Sequence, residues 1–305
     1  MKKKTSGRLA RKEARWAYFF ISPWIIGFIF LTLGPMLVSL YFSFSNYSLA
    51  SSSSVAVFNY GANYVKLLTE DPKFWHSLGV TITYALIAVP LELFFGFMVA
   101  FLLNMKVPGL TVWRTVYYLP SVTPGVASAI LWGIIFNPSF GIMNWFLSII
   151  GIKGPGWLAS QQWALPALII MSLWGVGGGM VIYLAGLQGI PTTLYEAAEI
   201  DGANSVQKLT HITIPLMTPV IFYNLIIGII GTFQFFTSVY VLTGGGPVDA
   251  TLFYNLYLYN TAFRYMNMGY ASALAWVLFI ITILITLLVF KSSAMWVFYE
   301  GEVRR

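Results

Sequence analysis

The chain has 305 residues, of which 58% are hydrophobic and only 9% charged, with a net charge of +7 and a mean hydropathy of +0.76. Soluble domains carry about 25% charge, so the composition excludes an ordinary soluble protein and indicates a polytopic helical membrane protein. With no cysteine, neither a disulfide framework nor a thiolate metal site is available, and His76 and His211 lie too far apart in sequence to suggest a histidine metal site.

Residues 1–16 hold Lys2, Lys3, Lys4, Arg8, Arg11, Lys12 and Arg15. The apolar run that follows is too long for a signal peptide, and no small-residue cleavage site closes it. The stretch is therefore expected to be a cytoplasmic tail ahead of an uncleaved first span. A membrane helix needs about 20 mostly apolar residues. Six segments meet that length: 18–44, 78–103, 116–136, 165–187, 216–242 and 270–290.

Orientation follows from positive charge. With the N-terminus inside, thirteen Lys/Arg residues fall on inner segments (the seven of the tail, then Lys106, Arg114, Lys208, Lys291, Arg304 and Arg305). Four fall on outer loops: Lys66, Lys73, Lys153 and Arg264. Both ends are thus expected in the cytoplasm, and this distribution argues against nucleic-acid binding. The predicted division is a basic tail at 1–16, a membrane domain at 17–290 and a cytoplasmic tail at 291–305. Ser51–Ser54 reads as a flexible outer loop. The aromatic residues Phe253, Tyr254, Tyr257, Tyr259, Phe263 and Tyr265 read either as an interfacial belt or as a surface for an external partner or a sugar.

Residues 190–215 form a polar island between the fourth and fifth predicted spans, on the cytoplasmic side by the charge count. It carries Glu196, Glu199 and Asp201, three of the ten acidic residues. Thr193-x-x-Glu196 has the form of a capping box, Gly202 tolerates positive φ at a helix end, and Asn204-x-x-Gln207 offers a second cap. The pattern predicts a short helix–Gly–helix. Glu196 serves there either as a cap or as a charge for a partner's arginine, and Glu199 has the same second option.

Within the fifth span Asn224, Gly228, Gly231, Phe235 and Ser238 fall at helical spacing on one face, with Gln234 beside them. That face suits either small-residue helix packing or a substrate path. Trp174 and Tyr183 in the fourth span are further candidates, and Trp132 in the third is another. Gly175-x-x-x-Gly179 reads as a close-packing motif. It is not a phosphate loop, since no lysine follows. Glu92 stands alone at membrane depth, either structural or a proton or cation site. No paired carboxylates or Ser/His/Asp set supports a membrane-embedded enzyme.

Glu196-Ala-Ala-x-x-Asp201-Gly202-Ala203, followed by Ile212 and Pro215, resembles the EAA motif of ABC-importer permeases. Leu209 departs from it where the family often has an aromatic. Further matches are Arg114-Thr115 before Leu119-Pro120, Asn137-Pro138 with Gly141, Val241-Leu-Thr-Gly-Gly-Gly-Pro247, Ala262-Phe263 and Gly269-Tyr270-Ala271. Together they resemble the carbohydrate-uptake branch, with maltose, oligosaccharide and glycerol-phosphate permeases. The resemblance implies an all-α, type I importer permease with six spans in the bacterial plasma membrane. It also implies a second homologous permease, two cytoplasmic ATPase subunits that bind ATP and Mg, and an extracellular solute-binding protein. No cofactor or metal is implied in this chain. Glu196, Ala197, Ala198, Asp201, Gly202 and Ala203 would form the coupling helix that docks on the ATPase. Asn224, Gly228, Gly231, Gln234, Phe235, Ser238, Trp174 and Tyr183 would line a sugar path. The alternative is a secondary transporter coupled to protons or ions through Glu92.

Overall fold

The computed structural model describes residues 7–50, 55–105 and 108–298. Lys2, Lys3, Lys4, Lys106, Arg304, Arg305 and the Ser51–Ser54 run lie outside the described residues. Two compact units are present, residues 1–70 with 260–276, and residues 71–259 with 277–305.

In the first unit, helix α1 (Arg8–Phe28) starts inside the expected basic tail. A π turn, Ile29–Leu33, joins it to α2 (Gly34–Ser43). The π turn has a local cause. Pro35 has no N–H to give and would crowd the carbonyl four residues back, and a widened turn relieves both. Two short strands, β1 (Ser45–Asn46) and β2 (Val57–Phe58), pair antiparallel ahead of α3 (Ala62–Thr69). Asn63 Nδ2 ties this corner together by donating to the carbonyls of Ser43 (2.9 Å) and Ser45 (3.0 Å).

The second unit starts with α4 (Pro72–Asn104), six residues earlier than predicted. Asp71 caps it, accepting from the N–H groups of Lys73 (2.9 Å) and Phe74 (3.2 Å), and Pro72 occupies the first turn. The third predicted span is not one helix. It is α5 (Leu110–Val122) and α6 (Gly125–Ile135), bent by 101°. Thr123 precedes a proline and takes ψ 130°, as that position favours. A short α7 (Ile142–Ile149) follows. The fourth span is likewise α8 (Ala164–Leu173) and α9 (Gly177–Gln188), bent by 42° at the glycine run.

Next come α10 (Thr192–Ile200), α11 (Ser205–Lys208), a second π turn (Leu209–Thr213) and α12 (Ile214–Phe233). Pro215 repeats the device seen at Pro35, so the expected second short helix is continuous with the fifth span. α12 ends at Phe233 and α13 (Thr237–Leu242) follows after a short irregularity, and the candidate span as a whole, Ser205–Leu242, reaches the predicted end at 242. The 244–247 turn then brings Leu252, Phe253 and α14 (Tyr254–Tyr259) into the core against α4. Phe253 and Tyr254 are fully buried and Tyr257 nearly so, which corrects the interfacial-belt reading for these three; Phe263 and Tyr265 do stay exposed. A third π turn, Asn260–Arg264, precedes α15 (Met268–Trp296). α15 runs past the predicted end at 290, and its last turn docks on α12, where Phe222 meets Phe290 and Trp296 edge-on at 5.1 and 5.8 Å.

Among the described residues four helices are long and apolar enough to cross a membrane, or six if each bent pair is one span. In the second unit Ala100, Leu103, Met180, Tyr183, Leu184, Leu187 and Met217 knit α4, α9 and α12 into one core cluster. Trp132, Phe136, Trp157 and Met171 form a second cluster.

Candidate functional site

A cavity of about 220 Å³ opens where α4, α8, α9 and α12 meet. Four polar side chains line it, one from each helix: Glu92, Ser172, Tyr183 and Asn224. Gly175, Gly179 and Gly228 leave the room. Asn224 Nδ2 is spent on the Val220 carbonyl (2.9 Å), and its Oδ1 lies 3.3 Å from where a Cβ on residue 179 would stand. Tyr183 is buried, and among the described residues its hydroxyl has no hydrogen-bond partner.

The predicted path residues divide around this cavity. Tyr183, Asn224 and Gly228 line it. Gly231, Gln234, Phe235, Ser238 and Trp174 do not. The single helical face expected for the fifth span is interrupted at Gln234, whose carbonyl accepts from Asn255 Nδ2 at 3.1 Å. Phe235 stacks on Tyr84 (5.1 Å, 10° between planes) and meets Phe253 edge-on, so its ring packs within the chain. Trp174 packs edge-on to Trp132 at 6.1 Å in the second core cluster. Gly175 and Gly179 serve the cavity wall, and the tight helix approach is made by Gly177 instead. Its missing Cβ would run into the Tyr117 carbonyl oxygen and come within 3.0 Å of Tyr118 Cα.

The 190–215 stretch has the predicted helix–Gly–helix form with one capping correction. α10 begins at Thr192 with Pro191 as its N-cap, and no side chain caps it. Thr193 lies inside the helix, because Pro191 with its fixed φ already sets the start. Glu196 is therefore not a cap. Gly202 takes φ +78° at the turn. The second box is present, with Asn204 Oδ1 accepting from Gln207 N–H (2.9 Å) and Gln207 Oε1 accepting from Asn204 N–H (2.8 Å).

Glu199 is engaged within the chain, with Lys208 Nζ at 2.8 Å. The hydrogen bond from Lys208, and secondarily its charge, holds the Glu199 carboxyl below the usual carboxylate range. Glu196, Ala197 and Ile200 share the outward face, and Ile200 is 88% exposed. Ala198 and Ala203 are half-buried and, with Asp201 and Gly202, edge a groove toward Lys208 and His211. Ile200 escaped the sequence reading because an isolated isoleucine between Glu199 and Asp201 looks like a buried position.

Long apolar helices around a cavity with four polar side chains fit a membrane transport protein. Residues 73–295 match the family of binding-protein-dependent transport system inner membrane components, and the chain belongs to that family of ABC transporter permeases. It is 45% identical over 299 residues to the probable ABC transporter permease protein YesP of Bacillus subtilis strain 168, covering 97% of this chain and 96% of the relative. It is 37% identical to the trehalose/maltose transport system permease protein MalF of Thermococcus litoralis, covering 75% and 77% of the two chains. In fold it is similar to a chain in the crystal structure of a bacterial ABC transporter involved in the import of the acidic polysaccharide alginate. The TM-score is 0.79 at 24% identity, over 94% of this chain and 99% of that one.

Proposed function

We propose that the chain is one of two permease subunits of a bacterial sugar importer, with six spans and both termini in the cytoplasm. Family membership supports the transport role, and the thirteen-to-four charge bias supports the orientation. The observation that carries the substrate reading is the cavity, where Glu92, Ser172, Tyr183 and Asn224 offer hydroxyl-matching groups in an apolar shell. At about 220 Å³ it is smaller than the roughly 300–1,000 Å³ of complete small-molecule sites. It is read as half of a path that a second permease completes.

Glu196, Ala197 and Ile200 present the seat for an ATPase subunit, and an external binding protein delivers the sugar. ATP and Mg are bound on the ATPase chains. Proteoliposomes holding both permeases and the ATPase are expected to accumulate the sugar that the binding protein retains, and only with ATP. Accumulation driven by an imposed proton gradient without ATP would support a secondary transporter built around Glu92 instead.

Asn224→Ala is expected to lower the saturating uptake rate by about two- to tenfold, the range for one lost hydrogen bond, with assembly intact. Gln234→Ala, whose side chain is exposed beyond the cavity, is expected to have the smaller effect. The reverse order would move the path away from α8 and α9.

A further inference from the structure

Two side-chain bridges hold α10 to the α11 and π-turn stem that leads into α12. Lys208 Nζ reaches Glu199 Oε1 at 2.8 Å, and the Tyr195 hydroxyl meets Thr213 Oγ1 at 2.9 Å. The buried Thr213 hydroxyl also reaches back to the Lys208 carbonyl at 3.3 Å. Tyr195 and Glu199 are four residues apart and share one face of α10. Lys208 and Thr213 are five residues apart, and the π turn between them supplies the matching spacing on the stem. Neither bridge touches the outward face of Glu196, Ala197 and Ile200.

We infer that Lys208 and Tyr195 are positioning residues that make α10 rigid with α12, so that displacement of one is carried to the other without slack. This rests on the reading of α10 as the ATPase seat. One bridge would leave α10 free to pivot about the Gly202 turn, whereas two bridges set apart along the helix fix its direction. The Glu199 side chain is 65% exposed and that of Lys208 is 22% exposed, and pairs of this kind add little to folding stability. Their loss is therefore expected to show in coupling and not in the amount of folded protein.

The test uses the full complex in proteoliposomes with Glu199→Lys, Lys208→Glu, the double exchange and Tyr195→Phe. The readouts are ATPase co-purification and sugar moved per ATP hydrolysed. Each single variant is expected to keep its ATPase and to move about two- to fivefold less sugar per ATP. The double exchange is expected to restore the ratio to within about twofold. Wild-type ratios in both single charge reversals overturn the inference, as does a double exchange that fails to restore them. The seat itself is tested separately, because Glu196→Lys with ATPase binding and uptake intact would remove the premise whatever happens at 199 and 208.

Discussion

Glu196→Lys is expected to cut ATP-driven uptake at least about tenfold and to strip the ATPase from the purified permease. The reason is what the carboxylate does not do at home. It caps nothing, since Pro191 starts α10, and among the described residues it forms no ion pair within the chain, unlike Glu199. Its charge stands on the outward face beside Ala197 and the exposed Ile200. Losing one member of a close interfacial charge pair costs about 2–5 kcal/mol, and reversal adds repulsion. The variant should still fold and insert, because no internal contact is lost. Co-purification of the ATPase and uptake by reconstituted vesicles provide the check. A lysine variant that retains both would remove Glu196 from the interface.

Gly177→Ala is expected to be a strongly damaging single-methyl change in the helical core. The new methyl would collide with the Tyr117 carbonyl and crowd Tyr118 Cα, both backbone, so α5 would have to move as a helix. Overpacking of this kind costs about 1–3 kcal/mol or more. Gly178→Ala is the control, with its nearest neighbour, Ser121 Cβ, at an ordinary 3.6 Å. Thermal unfolding followed by size-exclusion in detergent should show a clear drop for the first variant and little for the second. Equal behaviour would mean that α5 and α9 are not in close contact in the membrane.

Much of this architecture is written locally. Apolar runs locate the long helices, Asp71-Pro72 marks the start of α4, and Thr123-Pro124 marks the 101° bend, although length alone suggested one straight span. The Asn204–Gln207 box and the Gly202 turn are legible because each needs only its own few residues. The end of α12 is different. No proline or glycine stands at Gln234–Phe236, and the break is held by Asn255 and the Tyr84–Phe235–Phe253 stack, from distant parts of the chain. The predicted face of the fifth span is interrupted there. Glu92 and Ser172 were not grouped with Asn224 because only the folded bundle brings the four helices to one cavity. The Glu196 carboxylate is likewise set apart only by the fold, which gives Lys208 to Glu199 and, among the described residues, no ion-pair partner to Glu196.

The π turn at Leu209–Thr213 also sets the azimuth of the knuckle. Each residue of an α-helix advances the chain by about 100° and 1.5 Å. One residue more or fewer between Lys208 and Pro215 would swing Glu196 and Ile200 roughly a quarter-circle around the bundle axis without altering a single side chain. The compass bearing of this exposed face is thus encoded in the length of the segment as much as in its residue identities.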